Sequence, residues 1–107
     1  MAKTLHFYGS LPELILSGTK TSTWRVNDEK DIAPGDGLSL CRNDGTEFAK
    51  AEVTSVKETT FKELTDEDKE GHEEFGSEEE MYKTYSEYYK FEVVPETKLK
   101  IIRFRLA

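Results

Sequence analysis

The chain has 107 residues, a formal net charge of −7, 36% hydrophobic residues and a single cysteine, Cys41. That length suits one domain with one core, and a lone thiol excludes both an intrachain disulfide framework and a zinc site built from cysteines. Nine carboxylates stand against Lys69 between Asp66 and Glu80, a balance of −8 that leaves the rest of the chain at +1; without a basic stripe, a phosphate-dominated binder of nucleic acid is disfavoured and a small polar ligand fits better.

Met1 to Gly9 carries only Lys3 as a charge and no long apolar run, so it lacks the shape of a secretory signal. Nowhere do eighteen apolar residues run together, which excludes a membrane-spanning helix. The expectation is a cytoplasmic protein, residues 1–107 forming one domain, with no membrane partner and an oligomeric state that the sequence leaves open.

In chain order, Thr4 to Tyr8 alternates as a first strand, Leu5 and Phe7 on one face, His6 and Tyr8 on the other. Ser10 is placed as an N-cap, with Pro12 in the first helical turn and Glu13 facing the helix dipole. The helix runs to about Ser17 and buries Leu11, Leu14, Ile15 and Leu16. Gly18 then supplies the left-handed residue that ends it.

From there the sequence changes character. Gly18-Thr19-Lys20-Thr21-Ser22-Thr23-Trp24-Arg25 concentrates an amine, several hydroxyls, an indole and a guanidinium in eight residues. In a strand that follows the glycine, Thr21, Thr23 and Arg25 share one face and Ser22, Trp24 and Val26 the other. The ordinary reading is that Thr and Trp are good strand formers and a lysine beside a turn is solvated.

Asn27 to Gly37 reads as a loop, with Pro34-Gly35-Asp36-Gly37 turning into a strand at Leu38–Cys41. Asn43-Asp44-Gly45 signals a hairpin, its residues being tolerant of positive φ. A longer strand spans about Glu47 to Glu58, and its broken alternation between Phe48 and Ala51 suggests a bulge. Phe61 to Leu64 is a helical turn, Thr65-Asp66-Glu67-Asp68 an N-cap with an acidic first turn, and Ser77-Glu78-Glu79-Glu80 a stronger capping box opening a helix to about Tyr89. Met81, Tyr85 and Tyr88 share one side of that helix, where core packing is preferred over a base-stacking platform. Pro95 precedes a last strand, Lys98 to Leu106, with Ile102, Phe104 and Leu106 inward and Arg103 and Arg105 opposite. The order β-α-β-β-β-α-α-β argues for an α+β fold, a small, mostly antiparallel β-barrel with helices across its opening.

The motif Gly18-x-Lys20-Thr21-x-Thr23-x-Arg25, preceded by the short helix and followed by Pro34-Gly35-Asp36 and a strand pair, resembles the ASCH domain (activating signal cointegrator homology). The acidic segment, the Ser-led helix with its tyrosines and the closing Ile-x-x-Phe strand resemble it too, so the likeness spans nearly the whole chain. It implies a PUA-like β-barrel with a cleft beside the Gly-x-Lys motif, a setting associated with RNA or nucleotide binding. The two threonines make the chain most similar to the small bacterial N4-acetylcytidine amidohydrolases within that family.

What this resemblance implies is a set of roles: Lys20 activating the nucleophile, Thr23 as the nucleophile, and an acidic residue of the segment before the Ser77 helix as proton donor. Spacing to that helix selects Glu74, with Glu70 in reserve and Glu73 nearby. Thr21, Trp24, Arg25 and Glu70 are expected to contact substrate. No metal and no cofactor are implied; the partner is a nucleoside, with RNA as the alternative.

The chemistry fits the residue types. Hydrolysis of an N-acyl cytosine needs a nucleophile, a base for its proton, a stabiliser for the oxyanion and an acid for the departing amine. Lys20 serves as a base only if desolvation or a nearby cation such as Arg25 lowers its pKa. Residues 20 and 23 fall on opposite faces of a regular strand, so Lys20 must sit in the turn after Gly18. A glutamate half-buried against aromatic rings has its pKa raised and can stay protonated, although in so acidic a run any one Glu is more often a solvated charge. Trp24, Phe75 and Tyr8 serve equally as flanks for a base or as core. His6 and His72 have no ligand spacing. Two readings remain: an amidohydrolase removing the acyl group of N4-acetylcytidine or a related N4-acyl cytosine nucleoside, and a noncatalytic RNA-binding or nucleotide-sensing PUA-like module, for which Lys20, Arg25, Arg103 and Arg105 would form a local basic patch.

Overall fold

Alternating apolar side chains build the first strand, β1 (Lys3–Phe7), which buries Leu5 and Phe7 and leaves His6 in solvent. The computed structural model describes residues 3–26, 30–72 and 75–107. After β1 come α1 (Leu11–Leu16), β2 (Ser22–Arg25), β3 (Gly37–Arg42), β4 (Glu47–Thr60), a 3₁₀ turn at Phe61–Glu63, α2 (Asp66–Lys69), α3 (Glu78–Tyr89) and β5 (Lys98–Leu106).

The five strands form one sheet in the order β1-β3-β4-β5-β2, parallel at β1/β3 and antiparallel elsewhere. Two register shifts curl it. The hairpin shift passes from Leu40↔Ala49 to Cys41↔Glu47, so Phe48 is the extra residue, at the edge of the broken alternation. The β4/β5 shift falls between Val53 and Ser55. Bulges of this kind bend strands and raise their twist. The result is an α+β half-barrel.

The hairpin lies where Asn43-Asp44-Gly45 signals it. Of Asn43, Asp44 and Gly45, only Gly45 adopts positive φ (+91°), its N–H donating to the Arg42 carbonyl at 2.9 Å. A turn closed by one left-handed glycine, with the Arg42 N–H donating to the Thr46 carbonyl at 2.8 Å, suits a hairpin that carries a bulge.

Two apolar clusters lie on the two faces of the sheet, and β5 feeds both. Leu5, Phe7, Ile15, Leu40, Val53, Ile102 and Phe104 belong to the first, and Trp24, Phe61, Met81, Tyr85, Leu99 and Ile101 to the second, beneath α3. Ile101 and Ile102 alternate between the clusters, so this strand is buried on both faces along its middle. Leu106, expected inward, is exposed as the last residue of β5, although its partner Ala51 is buried. Leu16 is likewise exposed, as the last residue of α1.

Capping follows the sequence with two exceptions. Thr65 and Asp68 form a complete capping box, each side chain bonding the other's backbone N–H at 3.1 Å. Ser77 accepts from the Glu80 N–H at 3.1 Å, but the Glu80 carboxylate reaches Gly76 rather than Ser77. Ser10 makes no side-chain cap, since its ψ of 0° is not that of an N-cap.

Candidate active site

The site grows out of the end of α1. Gly18 has φ +84°; its N–H donates to the Ile15 carbonyl at 3.1 Å and that of Thr19 to Leu14 at 3.0 Å, the two bonds of a Schellman motif. The Lys20 N–H also reaches the Leu14 carbonyl, at 3.0 Å. Lys20 therefore sits in the turn, before strand alternation begins, and its side chain is carried inward: it is 2% exposed.

A second clamp holds the next residues. The Gly71 carbonyl accepts from the N–H groups of both Thr21 (2.8 Å) and Ser22 (3.1 Å), while the Thr21 carbonyl accepts from Phe104 N–H at 3.1 Å. β2 then pairs with β5, Thr23 opposite Ile102 and Arg25 opposite Lys100. Thr23 is 4% exposed. Arg25 Nε donates to Thr23 Oγ1 at 3.3 Å and its Nη2 to the His6 carbonyl at 3.1 Å, with the guanidinium 4.9 Å from the Phe7 ring centre. The same arginine thus joins the two outer strands of the half-barrel and places a cationic donor on the threonine hydroxyl, where it favours the alkoxide.

Lys20, Thr23, Trp24 and Arg25 line one cavity of about 150 Å³, together with Tyr8 from the end of β1 and Tyr85 and Tyr88 from α3. The three-residue spacing that sets Lys20 and Thr23 on opposite faces of a strand is overcome because only Thr23 is in the strand. Val26 N–H donates to the Tyr89 hydroxyl at 3.0 Å, which anchors the end of α3 beside β2. A larger surface groove of about 540 Å³ has Arg25 as its one residue in common with this cavity.

Trp24 forms a wall between two spaces. On its other side lies a cavity of about 520 Å³ lined by Glu70, Phe75, Lys69 and Met81. Glu70 therefore stands in a different cavity from Lys20 and Thr23. Thr21 is exposed, and its hydroxyl lies against Gly71 instead of in the cavity. Glu74 and Glu73 lie outside the described residues. Arg103 donates to the carbonyls of Glu70 (3.0 Å) and Glu67 (2.6 Å), and Arg105 pairs with Glu52 at 3.1 Å. Neither lines the Lys20 cavity.

His72, which has no ligand spacing in the sequence, takes a packing role. Its ring stacks on Trp24 with centroids 3.8 Å apart and 15° between planes, and its Nε2 lies 3.0 Å from the Tyr85 hydroxyl. Nothing in one dimension links residues 24, 72 and 85, although Gly71 beside it marks a close approach of backbones. Among the described residues no group of three His, Cys, Asp or Glu is placed to hold a metal ion, and no helix is long and apolar enough to cross a membrane.

The ASCH domain model matches residues 3–107. The chain belongs to the ASCH domain family. Its fold is similar to that of an ASCH domain from Lactobacillus crispatus (TM-score 0.71, 16% identity, covering 97% of this chain and 79% of that one). It is also similar to a protein from Enterococcus faecalis (0.81, 17%, 100% and 80%) and to one from Pyrococcus furiosus solved by NMR (0.68, 26%, 99% and 97%). The half-barrel is thus the ASCH fold, PUA-like in kind.

Proposed function

We propose that this ASCH domain is an amidohydrolase that removes the acyl group from N4-acetylcytidine or a related N4-acyl cytosine nucleoside, without a metal or other cofactor. The observation that carries the reading is that two buried polar side chains, Lys20 and Thr23, line one small cavity. The kinship to N4-acetylcytidine amidohydrolases rests on the Gly18-x-Lys20-Thr21-x-Thr23-x-Arg25 motif.

In this mechanism Thr23 Oγ1 attacks the acyl carbon as its proton passes to Lys20 Nζ. Lys20 is 2% exposed, and to act as the base it must be neutral when the hydroxyl attacks. Arg25 stabilises negative charge first on the threonine oxygen and then on the oxyanion. Collapse of the tetrahedral intermediate breaks the C–N bond, and the cytosine amino group leaves with a proton from the acid, assigned to Glu74. Glu74, now a carboxylate, takes a proton from the water that attacks the threonyl ester, and the Lys20 ammonium returns its proton to the Thr23 oxygen as acetic acid leaves, which restores all three groups.

Trapping the acyl-enzyme tests this sequence directly. Acid quench during turnover followed by intact-protein mass spectrometry is expected to show one acetyl group on the peptide containing Thr23. Turnover with no acylated species at any quench time, together with full activity of Thr23→Ala, would remove the covalent step. The noncatalytic RNA-binding reading is less favoured, because Arg103 and Arg105 are engaged elsewhere and add no charge to the cavity. A salt-dependent gel shift with RNA would support it.

A further inference from the structure

Helical spacing sets Tyr88 on the same side of α3 as Met81 and Tyr85, yet only those two are buried. Tyr88 is 45% exposed and Tyr8, just beyond β1, is 51% exposed. Their rings stack with centroids 5.8 Å apart and 14° between planes, and both line the cavity that holds Lys20 and Thr23. Two half-exposed rings that also line a cavity form its rim.

Each ring fixes the orientation of the other, so the pair is a preformed surface with about half its area in water. Behind it, Tyr85 meets Tyr88 edge-on at 5.7 Å and stacks near Trp24 at 6.0 Å, so aromatic contacts back the platform from rim to interior. Single exposed apolar residues are common and carry no meaning. A mutually stacked pair from segments 80 positions apart, set at the mouth of a polar cavity, is different.

Cavity size indicates what such a surface would hold. At about 150 Å³ the space is well below the ~300–1,000 Å³ of ordinary small-molecule pockets. It admits an acyl group and its amide but leaves a nucleoside's ring at the mouth. Flat aromatic rings are suited to that position, because every base offers a π-face.

We propose that Tyr8 and Tyr88 form a stacking platform for the pyrimidine ring of the substrate, holding it while the acyl group enters toward Thr23; this rests on the amidohydrolase reading above. Neither tyrosine takes part in bond making. Their role is to bind and orient.

The test is calorimetric binding of N4-acetylcytidine to the non-hydrolysing Thr23→Ala protein, with Tyr8→Leu, Tyr88→Leu and the corresponding Phe changes added singly, each checked by thermal unfolding. Loss of one stacking ring is expected to weaken binding by about 5- to 150-fold, while the Phe variants stay within about threefold. In the active protein the Leu changes are expected to raise KM far more than they lower kcat. Folded Leu variants that bind as tightly as their parent would overturn the platform, as would Phe variants as weak as Leu. Turnover by wild type is scored separately: none, with binding that still depends on the rings, would overturn the hydrolase and leave the platform standing.

Discussion

Gly71 is the position where backbone geometry and the candidate site are most tightly joined. Its φ is +74°, and a Cβ placed there would lie 2.0 Å from Thr21 Oγ1 and 3.3 Å from Thr21 Cβ. Two costs follow from Gly71→Ala. Holding a residue with a Cβ in the left-handed region costs about 1–2 kcal/mol. Relieving the overlap costs about 1–3 kcal/mol more, the lower figure if Thr21 turns about χ1 and the upper if backbone shifts. The total is about 2–5 kcal/mol. In a Thr21→Ala background the hydroxyl is gone, and the cost should fall to about 1–2 kcal/mol, giving a coupling of about 1–3 kcal/mol between the two positions. Equilibrium unfolding in urea of the four proteins measures it. Because the Gly71 carbonyl holds the N–H groups of Thr21 and Ser22, the single variant should also lose turnover through displacement of Lys20 and Thr23. A Gly71→Ala cost below about 0.5 kcal/mol, or one that is the same with and without the Thr21 hydroxyl, would refute the reasoning.

Other predictions concern the packing around the cavity and the acidic segment. Asp68 is buried, which pushes its pKa up, but the Lys57 ammonium and the Thr65 N–H and hydroxyl outweigh that and hold it below its ordinary 3.8; a carboxylate stabilised in the folded state contributes stability above pH 3.8 that is lost as pH falls through the lower folded value. Asp68→Asn should therefore flatten the acid limb of the stability–pH curve, and Thr65→Ala should cost about 0.5–2 kcal/mol in chemical denaturation. Trp24 Nε1 is buried without a hydrogen-bond partner among the described residues, so Trp24→Phe removes a desolvated N–H as it removes volume. It should cost less than about 2 kcal/mol, against about 3–5 for Trp24→Ala. Arg25→Lys keeps the charge but loses the Nε donor to Thr23 and the Phe7 contact, and should lower turnover of N4-acetylcytidine by roughly 10- to 100-fold.

The order of elements was legible because each boundary has a local cause. Gly18 ends α1, Gly45 closes the hairpin, and Thr65 and Ser77 cap the two later helices. The placing of Lys20 in a turn, ahead of the strand bearing Thr23, was legible for the same reason. What local pattern does not carry is contact across the chain. The stacking of His72 on Trp24 and the pairing of Tyr8 with Tyr88 span 48 and 80 positions. Helical periodicity assigned Tyr88 to the core with Met81 and Tyr85, yet it lies at the cavity rim, against Tyr8 rather than within the buried cluster. The acidic run shows the opposite limit: its carboxylates are alike in sequence, and only packing separates Glu70, beyond the wall of Trp24, from the cavity of Lys20 and Thr23.

The measurement closest to the central claim is release of cytidine from N4-acetylcytidine by the purified protein in the presence of a chelator, beside Thr23→Ala and Lys20→Met. The account predicts turnover by wild type that survives chelation and falls by at least about a thousandfold in each variant, as expected for loss of a nucleophile or its base. Folded wild-type protein that releases no cytidine, or folded variants that release it at the wild-type rate, would contradict it.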